Sequence, residues 1–98
     1  MSKLDFDSIL KPVSTIHYKE SEGRLELIDL GGDFSVMVID GLARHVYLAI
    51  DGTRNLGSIV ELVARVQSVD EEDVATFRSD ALAFAEDLLE ANIVSVAN

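Results

Sequence analysis

Cysteine is absent from this 98-residue chain, which excludes disulfides, thiolate-bound zinc, iron–sulfur clusters and thiol catalysis. Basic residues are scarce: eight Lys and Arg stand against eighteen Asp and Glu, for a formal net charge of −10. The imbalance is uneven. Residues 1–50 hold five basic against eight acidic side chains, whereas residues 51–98 hold three against ten. A phosphate-binding surface needs clustered Lys and Arg to displace counterions, so nucleic acid and anionic membrane are poor partners. No apolar run approaches the roughly 20 residues that span a bilayer. The segment MSKLDFDSIL carries Asp5 and Asp7 and lacks the apolar stretch of a signal peptide. A cytoplasmic protein with no membrane partner is expected.

Against these absences, 48% of the residues are hydrophobic, enough for a chain of this length to bury one modest core unaided. Residues 1–11 show no sustained period and read as a tail; residues 12–98 read as a single domain. Pro12, the only proline, is expected at the entry to the first strand, since it cannot donate to a sheet ladder. VSTIHYK (13–19) is β-branched and aromatic, ESEG (20–23) is a turn, and RLELIDL (24–30) is a second strand. Gly31-Gly32 suits a tight hairpin. FSVMVI (34–39) alternates Phe34, Val36 and Val38 against Ser35, Met37 and Ile39, which places Met37 on the face away from the core.

The period then becomes helical. Leu42, Ala43, Val46, Tyr47 and Ile50 define a first helix, with Asp40 as its expected N-cap. It stops at Asp51-Gly52, where Arg54 lies on the corner of a helix-turn-helix. Asn55 caps a second helix, whose buried stripe is Leu56, Ile59, Val60, Val63 and Val66. Asp70 caps a third, over 71–91, with a stripe of Val74, Phe77, Ala81, Phe84 and Leu88. Asn92 suits the left-handed position after its end, and IVSV (93–96) is a strand or a docked tail. The fold class is therefore α+β and winged-helix-like: an N-terminal three-stranded antiparallel meander followed by three helices.

A DNA-reading helix-turn-helix needs Arg or Lys on its recognition helix, but residues 56–67 offer only Arg65 and residues 71–91 carry seven acids against Arg78. His17 on a strand and His45 on the exposed side of the first helix make no nucleophile–base constellation. No metal-ligand spacing is present, DEED (70–73) lacks the calcium-loop pattern, and no cofactor is implied. An interaction module remains, and an enzyme is not expected. The third strand has no Lys or Pro to block edge pairing. Small residues on the long helix leave room for a groove, so an extended peptide can add as a further strand. The candidate surface is Phe34, Ser35, Val36, Met37, Val38 and Ile39, completed by Arg78, Ala81, Leu82, Ala85 and Leu89. The alternative is that the first strand or IVSV covers that edge.

From Val38 onward the chain resembles the PqqD family, the small peptide-binding proteins of pyrroloquinoline quinone biosynthesis. More widely it resembles the recognition domains that bind leader peptides of ribosomally made, modified peptides. The family's pattern runs from the end of a hydrophobic strand through a spaced Ala, an Ile/Val-aromatic pair, Asp-Gly, a basic residue, a β-branched or Leu position and an Ile-Val pair. Here it reads Ile39-Asp40, Ala43, Val46-Tyr47, Asp51-Gly52, Arg54, Leu56 and Ile59-Val60. The family's later aspartate, phenylalanine, leucine and terminal Gly-Leu-Ile/Val look like Asp80, Phe84, Leu88 and Asn92-Ile93-Val94. Asp40 stands where Asn is usual and Asn92 where Gly is usual; the first keeps the capping option and the second the left-handed one. The resemblance, over roughly residues 34–96, implies binding of a precursor's leader peptide by strand addition and its presentation to a maturation enzyme, in PqqD-like systems a radical SAM enzyme. The competing reading is a winged-helix protein–protein adaptor or, less well supported, a nucleic-acid-binding regulator.

Overall fold

The β-branched and aromatic run after Val13 forms strand β2 (Ile16–Ser21), and the next apolar run forms β3 (Arg24–Asp29). In the computed structural model, which describes residues 4–31 and 34–98 with the side chains of 34–36 excepted, Glu22 and Gly23 join them at φ +52° and +79°. Two consecutive positive φ angles make the primed turn whose twist matches that of the flanking strands. β4 (Phe34–Ile39) pairs with the other side of β3, giving an antiparallel sheet of order β2-β3-β4. The meander is the one expected. Of the expected Gly31-Gly32 turn, Gly31 donates its N–H to Asp29 Oδ1 at 2.9 Å, and Gly32 lies outside the described residues.

The inward face of β4 differs from expectation. Leu27 pairs with Met37, but the adjacent Ile28 pairs with Ser35, so the register skips Val36 in a bulge. Beyond it, Ile39 is buried opposite buried Leu25, and Met37 packs on the core opposite buried Leu27. Val38 is 56% exposed. A one-residue shift exchanges the two faces of a strand, and simple alternation along 34–39 therefore misassigned Met37 and Val38.

The segment read as a tail enters the fold. Leu4 and Leu10 are buried, and Leu10–Pro12 forms β1, antiparallel to β5 (Val94–Val96) in a separate two-stranded sheet. Pro12 thus closes β1 instead of opening the meander. A three-residue strand has no readable period, and its partner lies at the other end of the sequence. This is why the pairing escaped the sequence.

Helix α1 (Gly41–Ala49) follows β4, and α2 (Leu56–Val66) follows the Asp51-Gly52 corner. Asp40 does not cap α1 through its side chain; Gly41, at φ +59°, departs from the helical basin, so the first-turn amides do not surround that carboxylate. Asn55 does cap α2, its side-chain oxygen accepting from Ser58 N–H at 2.8 Å. The two preceding donors, Leu56 and Gly57 N–H, bond the carbonyls of Ser8 and Phe6 at 2.9 and 2.8 Å. The N-terminal segment thereby satisfies amides that a helix start leaves orphaned. Val66, expected in the buried stripe, is 63% exposed.

Helix α3 (Val74–Glu90) is preceded by a tight 3₁₀ turn, Glu71–Asp73, closed by Asp73 N–H on the Asp70 carbonyl. That backbone bond replaces the side-chain cap expected of Asp70, which is absent. Asn92 adopts φ +61° as expected. Ile93 N–H reaches the Leu88 carbonyl and Asn92 N–H the Leu89 carbonyl, the two bonds of a Schellman ending. The core gathers Leu25, Leu27, Leu56, Ile59, Leu88 and Ile93, each at most 1% exposed.

Candidate functional site

Among the described residues β4 is an edge strand. β2 lies across the sheet from it, and β5 is committed to β1, so neither of the segments that might have covered this edge does so. An edge strand presents backbone N–H and C=O groups to whatever can pair with them.

The chain leaves β4 through Asp40 and enters α1, which lies over the inner face of the sheet. Two contacts fix it there. The Tyr47 ring meets Tyr18 edge-on, centroids 6.5 Å apart at 85°, and Arg44 Nη1 donates to Glu20 Oε1 at 2.9 Å. Burial, with a smaller contribution from Tyr18, pushes the Tyr47 phenol above its usual pKa of 10. Held this way, α1 turns Leu42, Ala43 and Val46 toward Phe77, Ala81 and Phe84 of α3. Between them is a cleft of about 230 Å³, apolar except for Asp80. A more open groove of about 470 Å³ continues toward the α2–α3 connection, lined by Asp70, Asp73 and Thr76 and sharing Leu42, Phe77 and Asp80 with the cleft.

The residues expected at the site are divided by the structure. Met37, Val38 and Ile39 lie on the free edge strand, with Val38 the exposed one. Ala81 alone of the α3 candidates lines the cleft. Ala85 is fully buried, and Leu82 and Leu89 pack half-buried on the core. Arg78 faces the N-terminal segment, its guanidinium carbon 4.4 Å from the Phe6 ring centroid, a stacked cation–π geometry. Sequence reasoning passed over the cleft's own residues, Leu42, Phe77, Asp80 and Phe84. A signal was available: Phe77, Asp80, Ala81 and Phe84 follow i, i+3, i+4, i+7 spacing, so a carboxylate interrupts an otherwise apolar helical stripe.

The Asp51-Gly52 corner is a structural device. The Asp51 carboxylate accepts from Thr53 N–H and Thr53 Oγ1 at 2.9 Å each and from Arg54 N–H at 3.1 Å. The Thr53 amide, then the Arg54 amide, lead the causes that hold its pKa below the usual value. Arg54 sits on this corner, Nε 4.0 Å from Asp51 Oδ2. His45, expected on the exposed side of α1, is half-buried with Nε2 3.4 Å from Arg44 Nη2. Among the described residues no three His, Asp or Glu side chains converge as metal ligands, and no helix is long and apolar enough to cross a membrane.

No family model and no curated protein matches the chain. A solved structure does: TbiB1 in complex with the TbiA(beta) leader peptide is similar over 87% of this chain and 94% of that one, with a TM-score of 0.70 and 15% identity. At that identity the likeness defines the fold, an α+β arrangement of a three-stranded antiparallel sheet and three helices.

Proposed function

We propose that the chain recognises the leader segment of a ribosomally made precursor peptide, pairing it as a further strand on β4 and presenting the remainder to a maturation enzyme. The observation that carries this reading is the uncovered β4 edge, which runs directly into a helix flanking an apolar cleft. Strand addition draws affinity from main-chain hydrogen bonds and selectivity from pockets for alternate side chains; in this reading the β4 edge supplies the first and the α1–α3 cleft the second. The fold shared with TbiB1, a protein solved with a leader peptide bound, supports the reading, as does the motif spacing that resembles the PqqD family. Chemistry in this scheme belongs to the partner enzyme, a radical SAM enzyme if the PqqD resemblance extends that far, and the setting is cytoplasmic.

The test is a ¹H–¹⁵N titration of the whole chain with the synthetic leader of a precursor encoded beside its gene. Amide shifts should cluster over Met37–Leu42 and Phe77–Phe84. Shifts confined to β2 or α2, or no saturable binding up to millimolar peptide, would sink the proposal.

A further inference from the structure

We infer that the α1–α3 cleft and its carboxylates read the peptide's side chains: the cleft takes one large apolar residue, and Asp80, Asp73 and Asp70 select a Lys or Arg close to it in sequence. This rests on the peptide-recognition reading above and specifies what the peptide must carry. A cleft of about 230 Å³ falls below the roughly 300–1,000 Å³ of pockets that enclose small-molecule ligands. It is the right scale for a single side chain. Its walls supply two aromatic rings, and Leu42, shared with the adjoining groove, keeps 37% of its surface exposed.

The groove that continues the cleft is one-signed. Asp80, Asp73 and Asp70 are exposed along it, and among the described residues none of them is in an ion pair. The nearest cation on α3, Arg78, is stacked over Phe6. Among the described residues nothing basic lines the groove, so an entering Lys or Arg meets three carboxylates with no basic neighbour described there. The net charge of −10 acts in the same direction, steering cationic segments inward and repelling acidic ones. It also argues against a second copy of this chain as the occupant, since both surfaces would carry the same sign. Exposed carboxylates give little raw affinity; they discriminate between peptides and raise the association rate.

A random dodecapeptide display library selected on the full-length chain provides the probes, and capped synthetic versions of the recovered peptides are measured by fluorescence anisotropy. Recovered peptides should combine a large apolar residue with Lys or Arg a few positions away. Replacing that cation by Glu should weaken binding about tenfold, and Asp80→Lys in the protein should restore much of the loss for the Glu peptide, a coupling that a double-mutant cycle isolates. Asp80 is exposed, so Asp80→Lys should keep the wild-type melting temperature. Phe84→Ala should weaken every recovered peptide regardless of charge. Peptides that bind well but change less than twofold on charge reversal, with both the wild type and Asp80→Lys, would overturn this inference and leave peptide recognition standing. Failure to recover any binding peptide would overturn both.

Discussion

Gly52 shows how much one residue carries at the corner between α1 and α2. Its φ of +84° is a region side chains rarely adopt, and its N–H donates to the Leu10 carbonyl at 2.9 Å. An added Cβ would meet only Lys11 Cβ at 3.4 Å, an ordinary contact, so the cost of substitution lies in the backbone. Gly52→Val should destabilise the fold by more than about 1 kcal/mol; an unchanged chemical-denaturation midpoint would refute this. Ala85 carries a different constraint. From the sequence it was a candidate residue of the peptide groove, but it is 0% exposed. Ala85→Arg must overpack the core and bury a cation, and should cost more than about 3 kcal/mol. A near-wild-type melting temperature would show that α3 can roll to release this side chain.

At the scale of elements, the free edge of β4 makes a prediction about parity. Successive residues of a strand turn their amides to opposite sides, so of Met37 and Val38 one bonds toward β3 and the other outward. Proline removes the donor, and is tolerated in a sheet where that donor faces away from the neighbouring strand. Of Met37→Pro and Val38→Pro, one should melt near wild type and lose leader binding, and the other should lose stability as well. If both proline variants bind the leader like wild type, the peptide is not a strand on β4. Much of this layer was legible beforehand. The meander and the three helices announce themselves through periods of two and 3.6, and Asn55 and Asn92 through the chemistry of helix ends. What was not legible depends on partners distant in sequence. β1 becomes a strand only because β5 lies beside it, the bulge at Val36 is fixed by pairing with β3, and the cleft exists only once α1 and α3 are set at their mutual angle. The α3 stripe could be read from its spacing. Which of its members face a cavity could not, because that is decided by the helix opposite.

For the molecule as a whole, charge argues against the partner that topology suggests. A helix-turn-helix corner built into the fold invites a DNA-binding reading, yet eighteen acidic side chains oppose eight basic ones, and along α3 counterion release has only Arg78, stacked on Phe6, to draw on. No binding to duplex DNA is expected at physiological salt. A mobility shift at micromolar protein, steeply weakened by added salt, would contradict this.

The bulge at Val36 has one more consequence, for solubility. An uncovered apolar edge is a template on which identical chains can stack, and cross-β growth draws on flat segments of about six or seven residues. Past the skipped Val36, regular register on β4 runs only from Met37 to Ile39. That run is shorter than such a segment, so removing the bulge by deleting Val36 should make the edge more prone to stack with copies of itself, read as faster thioflavin-positive aggregation.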